Sequence, residues 1–385
     1  MFYRCIPASA RAQTLRAPAS RARALPSTGR RRNFTVDIHC HIVTPAADAL
    51  ARATFDPSSD ALFRFSSEAS RDVNRIQGET IASLITETAP RLAIMDAAGI
   101  DVQAVSPAPH QYYYALEPGL GRETSRLIND RIAELVSLHP DRFVGLGTVP
   151  MQSPELAIAE LERAVKSLGL RGVEIGTNVM GEELASPRFR PFWAKAEELG
   201  ILVFLHPSGF SDGRRLAEHY FINVIGNPLD TTVAVSHLIF GGVLDAYPKL
   251  KICCAHGGGF LAAYSGRMDH AHRARSDCRQ FIKRPPTSYL KKLYFDTIVF
   301  THHQLEYLAR LYGSEHLLLG TDYPYDMAEA DPVGFVSSSA LARDEKAAIQ
   351  GLNAAKLLKI KVPAERRPAP KRAKKKKAVA KRRKR

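Results

Sequence analysis

The sequence predicts an α/β chain folded as a distorted (β/α)8 barrel of the TIM type. Three observations predict it. Short β-branched runs alternate with longer amphipathic stretches, the pattern of repeated βα units. About eight such runs occur in a body of about 330 residues, a length that suits an eight-stranded barrel with insertions. Histidines and an aspartate close several of those runs, where a parallel barrel gathers its strand ends on one face. A doubly wound open sheet is the competing fold, but no GxGxxG follows the first run.

Taken in order, the strand candidates are 34–39, 102–106, 143–149, 172–176, 201–206, 251–256, 293–297 and 317–321. Each is short, rich in Val, Ile, Leu or Phe, and bounded by polar or Gly-containing segments. Helical patterns fill most gaps, over 121–138, 154–167, 189–199, 231–241, 303–311 and 343–358, the last with Leu352, Leu357 and Leu358 on an apolar face. The segment 48–89 is polar and reads as irregular, an insertion or lid near the barrel mouth.

The chain has 385 residues, of which 45% are hydrophobic and 24% charged, so a disordered protein is excluded. Its formal charge of +15 sits at the ends. Residues 1–33 contribute +8 and residues 364–385 contribute +12, leaving the body 34–363 at −5. A mildly acidic body offers no broad phosphate-neutralising surface, so nucleic-acid contact is expected only through the basic tail. No apolar run reaches the roughly 20 residues of a membrane span. Five cysteines without CxxC spacing argue against a disulfide framework and a thiolate zinc site. The Arg-rich, acid-free leader 1–33 reads as a disordered extension or a mitochondrial presequence, and the Lys/Arg-rich tail 364–385 as a solvated, self-repelling arm. The expected compartment is the cytoplasm, with the mitochondrion as the alternative.

The strongest chemical signal is Asp37-Ile38-His39-Cys40-His41. A strand's period of two points His39 and His41 the same way, so two imidazoles can reach one ion. His206, His256 and Asp322 close three further runs. Neutral imidazoles with one carboxylate suit Zn²⁺, with Mn²⁺, Fe²⁺ or Co²⁺ as alternatives, and leave room for water or substrate. A divalent ion acidifies its water, and a nearby unbound histidine can carry the proton, a role assigned to His256.

The motifs DIHCHI, RFVGLGTVPMQSPELAIAELERAV, FLHPSG, CCAHGGGFLAAYSGRMDH and LLLGTDYPYDM resemble the amidohydrolase-superfamily decarboxylases, in particular those acting on 2-amino-3-carboxymuconate-6-semialdehyde. The resemblance covers residues 36 to 358. It implies a metal-dependent amidohydrolase barrel with one zinc per chain, held at His39, His41, His206 and Asp322. It makes His256 the catalytic acid/base. It also implies a homodimer in which Arg267 of the SGRMD motif is lent across to grip a substrate carboxylate. The chemistry implied is non-oxidative decarboxylation of an aminocarboxymuconate-semialdehyde-like or carboxylated aromatic substrate. Asp322 is the acid in a second version of that reaction. Two departures stand out. An aromatic residue follows the HP motif in the family, whereas Ser208 follows Pro207 here, and the family's second carboxylate-binding arginine falls among Arg64, Arg71 and Arg75. The rival activity is hydrolysis of an amide, ester or lactone by the same centre, and the non-enzymatic rival is a partner-binding protein working through its basic tail.

Asp296 ends the seventh run and is a candidate for orienting a catalytic imidazole, or else a turn residue. Gly257-Gly258-Gly259 is read as a tight turn rather than an oxyanion cradle. His270 and His272 lie in a helical stretch, where i and i+2 face apart, and are not expected to be ligands. Trp193 and the Tyr112–Tyr114 run are read as packing, with the tyrosines near the mouth.

Overall fold

The computed structural model describes residues 32–364. The leader up to Arg31 and the tail from Glu365 lie outside the described residues. Arg32 pairs with Asp101 at 2.6 Å, and Asn33 donates to Gln350 at 2.7 Å.

All eight expected strands form. They are β1 (Val36–Ile42), β2 (Val102–Pro107), β3 (Phe143–Gly147), β4 (Gly172–Ile175), β5 (Leu202–Leu205), β6 (Lys251–Cys254), β7 (Tyr294–Asp296) and β8 (Leu317–Leu318). They pair in chain order and every pairing is parallel. The last strand is short because its continuation leaves β7 and turns onto β1. Ile38 N donates to Leu319 O at 2.8 Å, and His41 N to Tyr323 O at 2.8 Å, so the sheet curls into a nearly closed barrel. β1 runs past its expected end at His39 to Ile42, which puts both histidines inside the strand.

Val36, Ile38, Ala104, Leu146, Phe204, Cys253 and Leu318, drawn from six of the eight strands, form one buried cluster. Outside it, helices cover the barrel, including Pro118–Leu138, Pro154–Lys166, Arg190–Leu199, Gly226–Phe240 and His302–Tyr312. Trp193 is fully buried and its indole N–H donates to Leu184 O at 2.8 Å, so it packs. The last helical stretch is interrupted by a π-turn at Ala348–Leu352. No helix among the described residues is long and apolar enough to cross a membrane.

The segment 48–89 departs from its expected irregularity. It holds Ala61–Arg64 and the 19-residue helix Glu68–Thr86, capped by Asp60 and by Ser67, whose hydroxyl accepts from Ser70 N at 3.3 Å. Only Ile81 and Ile85 of the long helix are buried, so no continuous apolar stripe announced it. Strong helix formers such as Glu, Arg, Gln and Ala carry it instead.

Candidate metal centre

Five side chains from four regions meet at the carboxyl rim of the barrel. β1 presents His39 and His41, the ends of β5 and β6 run into His206 and His256, and Asp322 follows β8. Ligand atoms of His39, His206, His256 and Asp322 all lie within 4.8 Å of one another. His41 joins them, with its Nε2 3.1 Å from that of His39 and 3.3 Å from Asp322 Oδ1. His39 Nε2 is also 3.3 Å from Asp322 Oδ1, and His256 Nε2 is 3.6 Å from Oδ2. The His206 ring stands 4.9 Å from both β1 histidines. His256 and Asp322 both adopt left-handed backbone angles, φ 55° and 62°, at the turns that aim them inward.

The outer nitrogens of the β1 histidines are tied down. His39 Nδ1 donates to Asp296 Oδ2 at 2.6 Å, and His41 Nδ1 donates to Pro107 O at 2.9 Å. Both Nε2 atoms therefore face each other and Asp322. Asp296 also accepts from the backbone N–H groups of His256, Gly257 and Ile298, at 2.9, 2.8 and 3.1 Å. The Gly257 N–H is therefore committed to a carboxylate. Gly257, Gly258 and Gly259 all have positive φ, and a Cβ on Gly259 would stand 2.1 Å from Pro228 O, so the triglycine is a close-packed turn.

Electrostatics at the cluster favour positive charge between these groups. Burial alone would lower the His39 pKa, but the Asp322 and Asp296 carboxylates beside it raise it well above the ordinary value. Burial would raise Asp322, yet the adjoining histidines hold it well below the usual carboxylate range. His206 moves the other way, pushed well down by burial and then by the neighbouring histidines, so it is a neutral imidazole. Both of its ring nitrogens are buried without a hydrogen-bond partner, as is His256 Nδ1. An imidazole with no hydrogen-bond partner, beside two further imidazole nitrogens and a carboxylate, is the donor set a divalent cation satisfies. These residues fit a divalent metal ion.

Beneath the cluster lie carboxylates that sequence reasoning missed. Asp37, two residues before His39, is pushed up to about 6 by burial, against hydrogen bonds from Thr321 Oγ1, His39 N and Gln103 Nε2. Glu174 on β4 accepts from the Tyr112 hydroxyl at 2.7 Å and lies 3.8 Å from His41 Nδ1. The signal was present in both cases as a carboxylate inside an otherwise apolar strand, a placement that needs a buried partner.

Above the cluster opens a chamber of about 660 Å³ whose wall includes His206, His256 and Asp322. The helix Glu68–Thr86 forms its roof through Asn74, Gln77, Gly78, Ile81 and Ile85, one face at helical spacing. A smaller cavity of about 170 Å³ adjoins it, sharing Phe55, Asp60, Pro109, His110 and Ser208. The buried Tyr112, Tyr113 and Tyr114 line the smaller one.

None of the four candidate arginines lines the chamber itself. Arg64 lines the smaller cavity, Arg71 donates to Ser66 O at 3.1 Å, and Arg75 pairs with Glu79 at 2.9 Å. Arg267 is exposed on the helix Leu261–Ala274 and is not among the chamber's lining residues. His270 and His272 share that helix outside the cluster, with His272 buried 3.5 Å from Ile282 O.

A family model described as Amidohydrolase matches residues 36–360. The chain belongs to the amidohydrolase family. Within it, this amidohydrolase-family chain is 37% identical over 240 residues to the 2-amino-3-carboxymuconate-6-semialdehyde decarboxylase of Dictyostelium discoideum, covering 62% of this chain and 67% of that one. It is 30% identical over 272 residues to a gamma-resorcylate decarboxylase of Polaromonas, covering 66% and 82%. Among solved structures, the 5-carboxyvanillate decarboxylase of Sphingomonas paucimobilis superposes with a TM-score of 0.76 at 26% identity, covering 86% of this chain and all of that one. The proteins this amidohydrolase-family chain resembles therefore include decarboxylases named for several different carboxylated substrates.

Proposed function

We propose that this chain is a metal-dependent decarboxylase that removes CO₂, without oxidation, from a carboxylated aromatic or muconate-like substrate. The observation that carries the reading is the cluster of His39, His41, His206 and Asp322 at the floor of a largely apolar chamber, with His256 between floor and chamber. The relatedness to decarboxylases supports the same chemistry.

In the reaction the bond between ring carbon and carboxylate breaks, CO₂ leaves, and its electron pair stays on the carbon, which takes up one proton. A divalent cation, zinc by the chemistry of the donors, supplies positive charge against the negative charge that develops on substrate oxygens. His39, His41, His206 and Asp322 would hold that ion. Asp296 orients His39 through Nδ1 and fixes the turn that carries His256. His256, with an unpartnered Nδ1 and a side chain 15% exposed, reaches the chamber and is the group that holds and delivers the proton. Asp322 is among the groups that would hold the ion, so the acid role is assigned to His256.

Arg267, exposed on its own chain, is assigned to a homodimer in which it closes the partner's site. The working compartment is assigned to the cytoplasm.

The test is metal content of the purified full chain together with CO₂ release from a panel of hydroxybenzoates and carboxymuconate semialdehydes, with zinc and with manganese. About one ion per chain and CO₂ from a panel member is the expected result. Bound metal with hydrolysis of an ester or amide panel, and no CO₂, overturns decarboxylation in favour of a hydrolase.

A further inference from the structure

The chamber above the metal centre is larger and more apolar than a one-ring acid requires. Pockets of about 300–1,000 Å³ bury drug-sized ligands, and this one holds about 660 Å³. A hydroxybenzoate with its carboxylate at the cluster fills only the floor. The apolar part of the wall includes Val43, Phe55, Leu62, Phe63, Ile81 and Ile85, and Asn74, Gln77, Asn223 and Asn227 also line it. Ser208 stands where the family resemblance expects an aromatic residue, and its small side chain, donating to Asp60 at 2.6 Å, leaves the chamber in contact with the smaller cavity.

The charges in the wall are of one sign. Asp48, Asp60 and Asp326 line the chamber, and among the described residues no Lys or Arg does. Burial raises the Asp60 and Asp326 carboxyls above their ordinary range, the sign of an environment that resists further negative charge. His110, also in the wall, has its pKa pushed down by burial, which disfavours its cationic form. Within the chamber a second carboxylate on the substrate would meet carboxylates and apolar surface, with Arg64 lining only the adjoining smaller cavity. Arg267 lent by another copy adds one guanidinium, enough for the carboxylate at the cluster end.

We propose that the substrate is a monocarboxylated phenol bearing an extended apolar substituent, with its carboxylate at the metal cluster and its substituent under the helix Glu68–Thr86. This rests on the decarboxylase reading for the acid end and on the chamber wall for the tail.

The test uses the metal-loaded full chain and four ligands: 2-hydroxybenzoic acid without a chain, with a butyl chain, with an octyl chain opposite the carboxylate, and with a second carboxylate there. Affinities are measured by calorimetry and CO₂ release in parallel. Each methylene that enters the chamber should tighten binding about three- to fourfold until the space is filled. The dicarboxylate should bind more weakly than the unsubstituted acid.

Gly78 lies on the roof face, and a Cβ built there meets nothing within 4 Å. Gly78→Phe should therefore collapse the octyl-to-unsubstituted affinity ratio by tenfold or more, whereas Gly78→Ala should preserve it. Affinity that ignores chain length, or a dicarboxylate that binds best, overturns the proposal. Chain-length dependence without CO₂ from any acid overturns decarboxylation while supporting the assignment of the chamber.

Discussion

Replacing Asp296 by Asn tests whether the β1 histidines are held as metal donors from behind. The wild-type carboxylate accepts four hydrogen bonds: Oδ2 from His39 Nδ1 and His256 N, and Oδ1 from Gly257 N and Ile298 N. An amide of the same shape has one acceptor and one donor end. With the NH₂ toward His39, the imidazole must accept at Nδ1, which moves its proton to Nε2, the nitrogen 3.3 Å from Asp322. The His256 N–H then faces another donor. With the amide reversed, the Gly257 and Ile298 N–H groups lose their acceptor instead. The first orientation loses one hydrogen bond and the second loses two, at about 1.5–3 kcal/mol each, or about 1.5–6 kcal/mol before relaxation. Substitutions behind metal-binding histidines typically weaken metal affinity by about 10–100-fold, and a loss in that range is expected. Competition against a fluorescent zinc chelator reads it directly, with thermal unfolding as the check that the barrel survives. Metal affinity and turnover both at wild-type level in a folded Asp296→Asn protein would refute the reasoning.

Removing the ion with a chelator should abolish turnover and lower the melting temperature. Restoring zinc or manganese at 100 times its Kd should return about 2.7 kcal/mol; scanning fluorimetry showing no shift on addition would contradict the metal centre. His256→Ala should retain the ion but lose at least about 100-fold in turnover, measured as CO₂ release. If Arg267 serves the partner's site, Arg267→Ala and His256→Ala proteins should each be inactive, yet regain activity when mixed and allowed to exchange subunits; no recovery despite exchange argues for action within one chain. Gly259→Ala, which forces a Cβ to 2.1 Å from Pro228 O at a φ of +63°, should cost about 1–3 kcal/mol or more in urea unfolding, and a wild-type midpoint would contradict the tight-turn account.

Local pattern was enough to make the barrel and much of its rim legible. Each strand carries its own run of β-branched and aromatic residues, and parallel strands buried on both faces need no partner information to be recognised. The helix Glu68–Thr86 was hidden because it buries only Ile81 and Ile85 and leaves the rest to solvent and to the chamber. Helicity without an apolar stripe leaves little periodic trace. Glu174 and Asp37 were passed over because one carboxylate in a strand says nothing about the group it faces.

The chain by itself determined which residues can bind a metal and where in each strand they fall, because the period of two and the ends of apolar runs are local properties. Tertiary structure decided which of them meet. Barrel closure from β8 onto β1 is a contact between residues nearly 300 positions apart in sequence, and only that closure brings Asp322 to His39 and His41. The roof helix, the small Ser208 and the one-signed wall likewise acquire meaning only when segments far apart in the chain enclose a common volume.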